Sequence, residues 1–167
     1  MTINRLPAVV LLTAALLISA ACSSDDSDDG ATSSTTEPTA QLIEYDQDEP
    51  TGRNLTKAAD VSKLEGAPDD FKQFIAGILD ASRAESANEC KVAVGVAKID
   101  TSGFAAGSIR SCGGAVYIWA KRDGIWQEIW SGQELPDCAD IEKYSVPKPI
   151  AGDSCYDGKK NKVDYTP

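Results

Sequence analysis

Few residues in this chain could do chemistry, and the cysteines come first. Four of the five, Cys90, Cys112, Cys138 and Cys155, fall in the C-terminal half, and Cys22 stands alone near the start. Histidine is absent from all 167 residues. That absence removes Ser-His-Asp and Cys-His nucleophile systems and the His-based catalytic zinc sites. The four later cysteines are separated by 22, 26 and 17 positions, with no Cys-x-x-Cys pair, so no metal site is expected. An even set in an exported chain implies disulfides instead, and oxidised cysteines are not nucleophiles. Four cysteines allow three pairings. We favour Cys90–Cys112 with Cys138–Cys155, because the first two flank a hairpin and the last two close a C-terminal segment. Each bridge would close a loop of about 20 residues and contribute about 3 kcal/mol.

The remaining candidates are carboxylates, lysines and aromatics. Asp137, Asp140 and Glu142 gather beside Cys138, but a solvated helix start explains them equally well. No other acid pair stands out for carboxylate-dependent hydrolysis. No phosphate loop or GxGxxG run is present, and no cofactor is implied. Lys159, Lys160 and Lys162 sit in a polar tail and read as solvated rather than as a nucleic-acid contact. Tyr117, Trp119, Trp126 and Trp130 remain. An Asp123-Gly124 hairpin turn pairs Tyr117 with Trp130, Trp119 with Glu128 and Lys121 with Trp126, all on one strand face. The opposite face pairs Ile118 with Ile129. The aromatic face is either a second core layer or an exposed platform for a protein or glycan partner.

The elements that must carry these residues begin with a leader. Arg5 is followed by an eleven-residue apolar run, Ala8 to Ile18, interrupted only by Thr13, and then by Ser19-Ala20-Ala21. A charged start, a short apolar middle and a small-residue exit form a secretory signal over residues 1–21. Eleven residues fall short of the roughly 20 that span a bilayer. Residues 22–59 read as a disordered acidic stalk. Positions 23–50 hold nine acids and no base, so most of the net charge of −10 belongs there. The stalk lacks the ligand spacing of a calcium-binding EF-hand loop.

One domain follows over residues 60–158, with a polar, fraying tail at 159–167. Pro68, Asp69 and Asp70 open a helix whose stripe is Phe71, Phe74, Ile75, Ile78 and Leu79. Four strand signals come next, near 92–97, 104–112, 115–122 and 125–131, joined by short turns. A short helix near 139–143 ends the pattern. The expected fold class is α+β: one N-terminal helix packed on a four-stranded antiparallel meander, with a short C-terminal helix. The small residues Gly95, Ala97, Ala105 and Gly107 leave room for the stripe to lie close to the sheet.

Two stretches resemble known families. Leu17-Ile18-Ser19-Ala20-Ala21-Cys22 resembles the lipobox of bacterial lipoproteins. The resemblance implies cleavage before Cys22, lipidation of its thiol and a lipid anchor on the extracytoplasmic face of the cell membrane. Ser19 departs from the usual apolar residue, and an ordinary signal peptidase would cut the same bond and leave a free thiol. Lipidation accounts for the odd cysteine. Trp126-x-x-Ile129-x-Ser131-Gly132-Gln133-x-x-Pro136-x-Cys138, with Val146-Pro147-x-x-Ile150 and Cys155, resembles small secreted actinobacterial lipoproteins of unknown function. The element order is similar to cystatin-like and NTF2-like folds, which carries no function by itself. The reading is an anchored, exported, non-catalytic binding module. A carboxylate-dependent hydrolase and a protease or hydrolase inhibitor are the alternatives.

Overall fold

The computed structural model describes residues 39–46, 52–85 and 90–167, with positions 83–85 described by their backbone alone. Cys22, the leader and its lipidation lie outside the described residues, as does most of the acidic stretch. In chain order the elements are β1 (Leu42–Glu44), β2 (Arg53–Leu55), a 3-10 turn (Ala58–Lys63) and α1 (Asp69–Glu85). Next come β3 (Ala93–Asp100), β4 (Phe104–Arg110), β5 (Gly114–Arg122) and β6 (Ile125–Gly132). Two short helices, α2 (Cys138–Glu142) and α3 (Lys148–Ala151), and a ribbon of β7 (Ser154–Tyr156) and β8 (Lys162–Asp164) complete the chain.

This overturns the expected fold class. Two strands precede the helix, and the sheet is more than a four-stranded meander. The sheet has six antiparallel strands, in the order β1-β3-β4-β5-β6, with β2 also on β3. β3 to β6 form the meander that the hairpin signals announced. β1 and β2 then lie end to end along the outer edge of β3, Leu42–Glu44 against Asp100–Lys98 and Arg53–Leu55 against Val96–Val94. A bulge between Val96 and Lys98 separates the two pairings in β3, and the Ala97 carbonyl accepts from the Tyr45 N–H at 2.7 Å.

The stalk boundary at residue 59 is corrected for the same reason. Two acids counted as stalk charge are structural: Lys98 Nζ lies 3.1 Å from Glu44 and 3.7 Å from Asp46. Tyr45 donates its hydroxyl to the Glu65 carbonyl at 2.6 Å. The tail is corrected too. β8 pairs with β7, and Tyr165 is fully buried, its hydroxyl donating to the Val146 carbonyl at 2.8 Å.

Side chains cover both faces of the sheet, because alternate residues of a strand point to opposite sides. On one face α1 lays Phe71, Ile75 and Leu79 on Val94, Val96, Ile99, Ala105, Trp119 and Trp126, joined by Leu55 and Leu64. Phe74 and Ile78 pack at the margin of this layer. Gly107 matters here for a specific reason. A β-carbon on it would overlap the Gly95 carbonyl and stand 2.7 Å from the Trp119 ring. The small residue makes room for an indole on the neighbouring strand rather than for the helix itself. On the other face the C-terminal segment packs Ile141, Val146, Ile150, Cys155 and Tyr165 against Ile118, with Phe104, Ala106, Ile129 and Trp130 around them. The sheet is therefore the middle of three layers.

The structure pairs Cys90 with Cys112 and Cys138 with Cys155, with Cα separations of 5.2 and 5.1 Å. The second pair pins the start of α2 to β7.

Candidate functional site

The aromatic face anticipated from the sequence is only partly assembled. The Asp123-Gly124 turn has positive φ at both residues, 51° and 80°, as a tight two-residue hairpin requires. Near the turn the expected register holds: Lys121 faces Trp126 and Trp119 faces Glu128. A bulge then shifts the pairing, so that Ile118 faces Trp130 and Tyr117 faces Ser131. One extra residue turns every later side chain on that strand to the other side of the sheet. Trp130 therefore leaves the face of the other two tryptophans and packs with Ile118 beneath the C-terminal segment.

The binding platform Tyr117, Trp119, Trp126 and Trp130 is corrected accordingly. Trp119 and Trp126 are 1% and 6% exposed, so they are core. Phe71 reaches both, with ring centroids 6.1 and 4.7 Å away and edge-to-face geometry. Tyr117 alone of the α1-side aromatics on this sheet stays half-exposed, at the rim.

A smaller ledge remains around that rim. The Tyr117 ring stacks on Trp119, centroids 5.8 Å apart and planes 16° from parallel. Phe74 of α1 meets the same indole edge-on at 6.3 Å. Ser131, directly across from Tyr117, donates its hydroxyl to Glu128 at 2.6 Å. Both polar residues are exposed. The bulge places Glu128 and Ser131 on one face, although three positions separate them. The result is a half-exposed tyrosine ring stacked on a buried indole and edged by a carboxylate and a hydroxyl. It can stack on a planar or sugar-like face and accept hydrogen bonds.

The charged end of this face is tied down. Lys121 pairs with Asp70 at the start of α1. The Lys121 ammonium holds the Asp70 carboxyl below its ordinary range. The buried Trp126 indole N–H makes no hydrogen bond of good geometry, but its dipole lies close enough to favour the Asp70 anion as well.

Sequence reasoning missed a second arrangement on the opposite face. The Arg122 guanidinium lies 5.6 Å from the centre of the Phe104 ring and 5.1 Å from that of Tyr144. It donates to the Tyr144 carbonyl at 2.8 Å. This clamp holds the turn after α2 onto the sheet. A signal was available in the alternation Arg122, Ala120, Ile118, which puts the arginine on a buried face.

The cysteines meet as the favoured pairing requires. Of the acids beside Cys138, Asp137 is engaged by Lys160 at 2.8 and 2.9 Å, and Asp140 and Glu142 are exposed on α2. Among the described residues no three His, Cys, Asp or Glu side chains gather closely enough to hold a metal ion, and no helix is long and apolar enough to cross a membrane. No protein-family model matches the chain, and no curated protein or solved structure matches it.

Proposed function

We propose that this chain is an exported protein, anchored through a lipid on Cys22 to the extracytoplasmic face of the cell membrane, that displays a non-catalytic binding module. The cysteine arithmetic carries this reading. Both pairs close within the fold, so Cys22 is the one cysteine left over, directly after a leader-like segment. Disulfides persist in oxidising compartments outside the cytosol. The contact surface of the module is the ledge of Tyr117, Phe74, Glu128 and Ser131, suited to a glycan or a protein.

The anchor is tested by feeding an alkyne-bearing fatty acid to bacteria that express the full chain. The wild type is expected to take up the label and sediment with membranes, and Cys22→Ser to do neither. A wild type without label would overturn the anchor. The ledge is tested separately, with a panel of soluble cell-wall oligosaccharides. Ligand stacked at Tyr117 would change tryptophan emission, and Tyr117→Ala should weaken that response at least tenfold. An unchanged response in this variant would remove the ledge from the reading.

A further inference from the structure

The two disulfides stand in opposite environments. Cys155 is fully buried in the layer of Ile118, Val146, Ile150 and Tyr165, and Cys138 packs against the same layer. Cys112 is exposed in the loop after β4, between Ser111 and Gly113, and Cys90 is half-exposed just before β3. The Ser111 N–H is bonded to the Gly113 carbonyl at 2.8 Å, so a tight turn presents Cys112. Thiol–disulfide exchange requires a thiolate to reach one sulfur along the S–S axis, and its rate depends on that access.

We propose that Cys90–Cys112 is a thiol-exchange site, with Cys112 as the sulfur attacked by an incoming thiol, while Cys138–Cys155 is a closed structural staple. The incoming thiolate bonds to Cys112 Sγ, the Cys90–Cys112 bond breaks, and Cys90 leaves as a thiolate. A second thiolate, from a dithiol reductant or another thiol molecule, then attacks the sulfur of the first. That releases a disulfide and leaves Cys112 as a thiolate, so the protein gains two electrons and the thiols lose two.

Opening this bridge does not dismantle the sheet. β3 and β4 remain joined through the Thr101–Gly103 loop and a ladder that runs from Ala93–Arg110 to Asp100–Phe104. The inference needs only the fold and holds whether or not Cys22 is lipidated.

The test uses the oxidised folded protein and graded reduced glutathione. Free thiols are trapped by alkylation and mapped by peptide mass spectrometry. Cys90 and Cys112 are expected to be labelled at a glutathione concentration at least tenfold below that which labels Cys138 and Cys155. The acid-quenched intermediate should carry glutathione on Cys112. Near-ultraviolet circular dichroism should remain folded after the first step, and a Cys90→Ala/Cys112→Ala variant should share that spectrum. Simultaneous opening of both pairs, an adduct mainly on Cys90, or loss of the folded spectrum with the first step would each overturn the proposal.

Discussion

Asp60 is a charged side chain held inside the fold, and its partners explain why it stays charged. Its Oδ2 accepts from the Thr56 N–H at 2.9 Å, the Lys57 N–H at 3.2 Å and the Thr56 hydroxyl at 3.1 Å. Its Oδ1 pairs with Lys63 at 3.0 Å. The Thr56 backbone donor first, and then Lys63, hold this carboxyl far below the usual carboxylate range. The folded value lies below the unfolded value of about 3.9, so the stabilisation is present above about pH 4 and is lost as pH falls through the folded value. Asp60→Asn should therefore unfold at lower urea than the wild type at pH 7, with the gap narrowing steadily below pH 4. A gap that stayed constant down to pH 2 would show that the charge itself contributes nothing. The residue was not singled out in the sequence, because its partner Thr56 falls in the stretch read as stalk and Asp60 stands at the boundary itself.

At the scale of elements, each face of the sheet has its own cover, and the covers share no side chains. Ile75 belongs to the α1 layer and Ile141 to the C-terminal layer. Ile75→Val and Ile141→Val should each cost about 0.5–1.5 kcal/mol. The costs should add within about 0.5 kcal/mol in the double variant, since the sites lie on opposite sides of the sheet. Urea denaturation of the four proteins checks this, and a larger coupling would mean that strain passes through the sheet. The elements differ in how legible they were. α1 was readable because its apolar stripe recurs from Phe71 to Leu79, about two and a half turns, just after a charged opening at Asp69 and Asp70. The hairpins were readable because Asp123-Gly124 is a strong local signal. The bulges were not, because an extra residue leaves no mark in composition, and the one before Trp130 took that indole off the expected aromatic face. β1, β2, β7 and β8 have three residues each. Strands so short show no alternation; β1 and β2 are defined by pairing with the longer β3, and β7 and β8 only by pairing with each other.

For the whole molecule, the question is where the folded body begins. Composition places the boundary near residue 60, since acids and small polar residues dominate before it. Among the described residues the sheet already includes β1 at Leu42–Glu44 and β2 at Arg53–Leu55. Leu55 is fully buried among the side chains of α1 and β3, and Ile43 and Tyr45 pack against the same core. Without residues 39–59, β3 becomes an edge with unpaired N–H and C=O groups, which invites association with other chains. Loss of one buried leucine costs about 2–5 kcal/mol, a large share of the 5–15 kcal/mol that holds a typical domain. A fragment of residues 39–167 with both disulfides formed should therefore unfold in one cooperative transition. A fragment of 60–167 should lose that transition or unfold at much lower denaturant, and should self-associate on sizing columns. Equal urea midpoints for the two fragments would mean that the N-terminal strands are ornaments on a body that needs only α1 and the meander. A large difference would mean that the acidic linker ends inside the domain, with Glu44 and Asp46 held by Lys98 as part of the fold.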